Sequence, residues 1–90
     1  SNIQEVTSSR YYIRLSLDDK PGVLAKVTKI LVDYKISVDR MRQAHHSGSE
    51  APLLIVTHKT KRDELNKALI EIENLDVTLC APVALKIEEV

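Results

Sequence analysis

Six short segments alternate along the 90-residue sequence in the order β-α-β-β-α-β. That order predicts an α+β fold: a ferredoxin-like sandwich, one four-stranded antiparallel sheet with two helices on one face. Two observations carry the prediction. Four stretches read as strands, by period-two alternation or by a short apolar run, and a helical period marks two others. No helix-length segment separates the second and third strands, so these form a hairpin, and right-handed crossovers interleave the two β-α-β halves.

The chain does not begin with Met, and Ser1-Asn2 reads as a scar of tag removal. Residues 3–9 are polar and without period, as in a linker, which leaves residues 10–90 as a single domain. The first strand is expected from about Arg10 to Leu17. Tyr11, Ile13, Leu15 and Leu17 point one way, and Tyr12, Arg14 and Ser16 the other. Asp18-Asp19-Lys20-Pro21-Gly22-Val23-Leu24 then turns the chain into a helix expected from about Pro21 to Tyr34. Val23, Leu24, Val27, Ile30, Leu31 and Tyr34 recur at helical spacing along it. Proline suits a first helical position, since its φ fits and its missing N–H would be unpaired there.

The second strand is expected from about Ile36 to Gln43. Met41 falls out of phase with Ile36 and Val38, which predicts a bulge near Asp39 and Arg40. Residues 45–50 read as a turn-rich loop. The third strand, about Leu53 to Thr60, is apolar on both faces. The second helix is expected from about Arg62 to Glu73, with Leu65, Ala68, Leu69 and Ile72 as its stripe. Thr60 is placed to cap it, and Asp63 and Glu64 favour its first turn. The last strand, about Val77 to Ile87, keeps its apolar residues in one parity. Pro82 makes it an edge strand or interrupts it. Tyr12, Leu54, Val56, Cys80 and Ala84 then fall on the sheet face without helices, which predicts that a second copy covers part of that face.

Composition excludes several functions. Thirteen basic and thirteen acidic residues cancel, so no basic footprint for nucleic acid or membrane is present. There is no Phe or Trp, and the third strand has no aromatic to stack a base. The single cysteine, Cys80, allows no internal disulfide and no paired thiolates, and fits a reducing, cytoplasmic setting. His45, His46 and His58 lack metal-ligand spacing and read as solvated residues. Arg10 and Arg14 lie in or before the first strand rather than in an anion loop after it, and no nucleophile–base pair is visible, so no catalytic residue is assigned.

A small-molecule binding module remains. The N–H groups of a first helical turn have no intrahelical partner and attract a carboxylate. Asp19 is placed to pair with an ammonium, and Ser37 to add a polar contact. Together these fit an amino acid.

The same residues carry a family resemblance. Asp19-Lys20-Pro21-Gly22-Val23-Leu24-Ala25, a helix, then Ile36-Ser37-Val38-Asp39 resembles the ACT domain, an amino-acid-sensing module. Adding Ser9-Arg10-Tyr11-Tyr12-Ile13-Arg14-Leu15 and Glu50-Ala51-Pro52-Leu53-Leu54-Ile55-Val56-Thr57-His58, the chain is similar to the C-terminal ACT domains of bacterial homoserine dehydrogenases. The resemblance implies a homodimer of side-by-side sheets, with an effector held at Asp19, Lys20, Pro21, Gly22, Val23 and Leu24 of one copy and Ser37 and Val38 of the other. It implies L-threonine as the effector, feedback control of threonine and methionine biosynthesis, and a NAD(P)-dependent catalytic region outside this sequence. Several amino-acid-binding members carry Asn where this chain has Asp19 and Ser37. The alternative is an ACT module that only pairs subunits and binds no ligand.

Overall fold

The computed structural model describes residues 8–44, 48 and 50–88. The elements are β1 (Ser8–Asp18), α1 (Val23–Asp33), β2 (Val38–Gln43), β3 (Glu50–Thr57), β4 (Thr60–Lys61), α2 (Arg62–Glu73) and β5 (Val83–Ile87). The sheet runs β2-β3-β1, and the far edge of β1 is shared by β4 and β5, all antiparallel. This is the expected ferredoxin-like sandwich with a two-residue strand added, since Thr60 and Lys61 pair with Ser9 and Ser8. Thr60 is therefore buried in the sheet and does not cap α2; Lys61 holds the cap position, and no side chain bonds there. Of the expected leader, residues 1–7 lie outside the described residues, as do His45 and His46, whereas Ser8 and Ser9 are not linker: they open β1 and pair with β4.

Alternation on β1 and β3 builds the core. Ile13, Leu15, Ile55 and Leu53 are each no more than 1% exposed and meet Val27, Leu31, Leu65 and Ile72 from the two helices. The bulge expected at Asp39 is present: Val38 pairs with Thr57 but Arg40 with Val56. It returns Arg40 and Arg42 to the face of Val56 and Leu54.

The last strand departs from expectation. Thr78 bridges Leu17 and Val83 pairs with Arg14, so five steps on one strand oppose three on the other. The two extra residues fall around Pro82, whose missing N–H cannot join the ladder. Ala84 pairs with Ile13 and packs on the core, so it is not on the open face. Val83 and Leu85 face outward instead, beside Arg14 and Tyr12. The larger apolar side chains of this edge strand are left uncovered.

Helix α1 ends in a Schellman pair. Ile36 N–H donates to Leu31 O and Lys35 N–H to Val32 O, both at 2.9 Å. Lys35 takes the left-handed conformation this requires, φ 59°. A side chain costs roughly 1–2 kcal/mol there, against roughly 0.5–1 kcal/mol of extra chain entropy for glycine. Lys35→Gly is therefore expected to stabilise the fold by about 0.5–1 kcal/mol, read as a higher midpoint in urea denaturation.

One residue earlier, the Tyr34 hydroxyl donates to Glu71 Oε2 and ties α1 to α2. This bond to the carboxylate, followed by desolvation and the negative charge of Glu71, raises the phenol above its ordinary 10.0. The tie is present at neutral pH and is lost as pH rises through the shifted value, where the phenolate would repel Glu71. Spectrophotometric titration should show a tyrosinate step above pH 10.0 that Tyr34→Phe removes; an unchanged curve would contradict the tie.

Candidate functional site

The end of β1 and the start of α1 are joined by a tight turn. Lys20 N–H donates to Asp18 O at 3.0 Å, and Val23 N–H to Lys20 O at 3.4 Å. The second bond encloses Pro21 and Gly22. Gly22 sits at φ 83°, ψ −2°, the geometry of the third position of a type II turn. Pro21 is thus the second residue of a turn rather than the first of the helix, which begins at Val23. Proline fits that position equally well, because both need φ near −65°. Nothing lies within 4 Å of where a Cβ on Gly22 would stand, so glycine is required by its backbone angle and not by lack of space.

The helix then starts without a side-chain cap. Lys26 N–H bonds Gly22 O at 3.2 Å, while the amides of Leu24 and Ala25 have no partner among the described residues. These are the free donors expected from the sequence. Asp18 is held by Lys20 at 3.3 Å. Asp19 is exposed and forms no ion pair among the described residues. The turn therefore presents backbone donors beside one unengaged carboxylate, a pairing that suits a zwitterion.

A cleft of about 170 Å³ lies against the turn. It is smaller than the roughly 300–1,000 Å³ of drug-sized sites. Gly22, Val23, Leu24 and Ala25 form one wall, and Gln43, Ala51 and Leu53 close the other. Gln43 was not singled out from the sequence. Only the pairing of Gln43 with Leu53 places its amide there, and an exposed polar residue near a strand end gives no signal of that by itself.

Ser37 and Val38 stand elsewhere. Val38 pairs with Thr57 at one end of β3, whereas Asp18 pairs with Glu50 at the other. At about 3.4 Å per residue, the two groups are roughly 20 Å apart along the strand within one chain. The far end is well fixed. Arg10 Nη2 meets Asp39 Oδ2 at 2.5 Å, His58 Nε2 lies 3.8 Å from Asp39 Oδ1, and His58 N–H donates to Ser37 O at 2.8 Å. Among the described residues, no group of three or more His, Cys, Asp or Glu is placed to hold a metal, and no helix is long and apolar enough to cross a membrane.

Strand β2 is one of the outer strands of the sheet. Ala44 N–H donates to Pro52 O at 2.9 Å, so the even-numbered residues after the bulge turn their backbone groups toward β3. Met41 and Gln43 point theirs to the edge that no described strand covers, a template for another strand.

The ACT domain family model matches residues 11–77. Homoserine dehydrogenase of Methylobacillus glycogenes is 40% identical over 84 residues, covering 91% of this chain and 20% of that protein. The homoserine dehydrogenase of Pseudomonas aeruginosa is 31% identical over 87 residues, covering 94% and 20%. A solved homoserine dehydrogenase from Thiobacillus denitrificans aligns with a TM-score of 0.84 at 34% identity, over 94% of this chain and 19% of that one. The ACT domain of GTP pyrophosphokinase from Chlorobium tepidum shares the fold at a TM-score of 0.71 and 13% identity, over 88% of this chain and 100% of that one. The chain spans about one fifth of the length of the curated relatives it matches.

Proposed function

The chain belongs to the ACT domain family, and from that premise we propose that it is the regulatory part of a homoserine dehydrogenase, pairing with a second copy through β2 and binding a small amino acid such as L-threonine between the copies. The observation that carries this reading is the Gly22 turn, with free amides at Leu24 and Ala25 beside the unengaged Asp19. The amides suit the effector's carboxylate, Asp19 its ammonium, and Gln43 a side-chain hydroxyl.

Symmetry supports the pairing. Two copies of one edge strand related by a two-fold axis must run antiparallel. An axis through the middle of β2, near Arg40 and Met41, brings the partner's Ser37 and Val38 toward Gln43. The roughly 20 Å gap within one chain closes in the pair. Asp19, Lys20, Pro21, Gly22, Val23 and Leu24 of one copy then face the partner's Ser37 and Val38 across one site. Regulation follows only if the effector binds one arrangement of the pair better than another. In this reading the NAD(P)-dependent chemistry belongs to the remaining four fifths of such an enzyme, and the domain serves feedback control in the cytoplasm.

Isothermal titration with L-threonine tests the reading. Heat of binding at millimolar ligand, at one or two sites per dimer, is expected. No heat from an intact dimer would overturn effector sensing. The open edge of β2 would then favour the narrower reading, a module that only assembles subunits. Met41→Pro removes an outward N–H without breaking a bond to β3 and is expected to yield a monomer by sedimentation equilibrium.

A further inference from the structure

The sheet face opposite the helices holds a concavity of about 490 Å³ whose floor is Tyr12, Arg14, Pro52, Leu54, Val83 and Leu85. Val83 and Leu85 are 50% and 57% exposed. A monomeric protein rarely leaves contiguous apolar surface of this kind without a partner. Three arginines share the face. Arg14 lies in the middle of β1, and Arg40 and Arg42 flank it from β2, opposite Val56 and Leu54. None of the three has a carboxylate partner among the described residues, in contrast to Arg10. Of the acids nearest that face, Asp18 is paired with Lys20, while Glu50 accepts from the neutral Ser16 hydroxyl and keeps its charge.

We propose that this face docks an amphipathic polypeptide segment that brings carboxylates among apolar side chains. The charge pattern selects this occupant. Covering Arg14 with a purely apolar surface would strand a desolvated cation. Stacking a second copy face to face would gather six guanidinium groups against only the two Glu50 carboxylates. A segment carrying Glu or Asp meets Arg14 with a charge-assisted pair and fills the groove with its apolar side. The occupant proposed differs from the second copy expected from the sequence, and the test below separates the two. The docking surface is separate from the β2 edge and the Gly22 turn, and it stands whether or not an effector binds there.

The test uses three labelled synthetic 15-residue amphipathic helical peptides with one leucine pattern and Glu, Gln or Lys at the polar positions. Fluorescence anisotropy measures affinity, and ¹H–¹⁵N spectra of the 90-residue chain map the contact. The Glu peptide is expected to bind at least tenfold tighter than the Gln peptide, and the Lys peptide not to bind. Shifts should centre on Tyr12, Leu54 and Leu85. Arg14→Gln should reduce the preference for Glu over Gln at least threefold, and Leu85→Asp should weaken binding of all peptides. Equal binding of the three peptides, no binding, or a preference unchanged by Arg14→Gln would overturn the proposal. So would sedimentation data in which Leu85→Asp dissolves a dimer that Met41→Pro leaves intact, since the occupant would then be a second copy.

Discussion

Leu15→Ala is expected to lower the unfolding free energy by about 3–5 kcal/mol, the upper part of the range for leucine truncation in a core. Leu15 is fully buried at the centre of β1, opposite Leu53 and under both helices. Its neighbours leave little room for collapse. Ile13 and Leu17 flank it on the same strand, and the ladder to β3 holds the backbone. A domain of this size has about 5–15 kcal/mol in total, so the variant should lose a large share of its stability. At roughly 4–8 °C per kcal/mol, its melting temperature falls by tens of degrees. Calorimetry checks this. A loss below about 1 kcal/mol would mean that the cavity is refilled, and that β1 is not the rigid centre described here.

Gly22→Ala should act on stability and on the site together. The left-handed backbone costs a residue with Cβ roughly 1–2 kcal/mol. No atom stands within 4 Å of the added methyl, so the whole cost comes from backbone geometry. The chain can escape it only by turning the peptide between Pro21 and Gly22. That movement breaks the Val23-to-Lys20 bond and re-aims the amides of Leu24 and Ala25. Denaturation should show the loss of about 1–2 kcal/mol. Titration with L-threonine should show at least a tenfold loss of affinity, equal to about 1.4 kcal/mol. A variant that is destabilised but binds unchanged would separate the turn from the site.

Much of this was legible in the sequence, for identifiable reasons. The α2 boundaries match because a helical stripe, acidic first-turn residues and flanking polar residues agree. The bulge was legible because one residue out of phase changes which face Met41 occupies. The turn was legible because Pro-Gly between a strand and a helix has few alternatives. Its type was not, since proline fits both a first helical position and the second residue of a turn. The last strand misled because its parity names two faces without saying which is covered. Only the ladder to β1 puts Ala84 inward and Leu85 outward. Gln43 was invisible for the same reason: its place beside the turn depends on pairing with Leu53, a long-range fact. Ser37 and Val38 were placed in the site by resemblance, and one chain alone keeps them at the opposite end of the sheet.

The central claim is that free amides at the Gly22 turn, enclosed by a paired copy, hold an amino acid. Amide shifts in ¹H–¹⁵N spectra of the chain titrated with L-threonine test it most directly. The account predicts the largest shifts at the Leu24 and Ala25 backbone amides and the Gln43 side-chain amide, saturating in wild type and absent from monomeric Met41→Pro. Unmoved Leu24 and Ala25 signals in an intact dimer at millimolar L-threonine would contradict it.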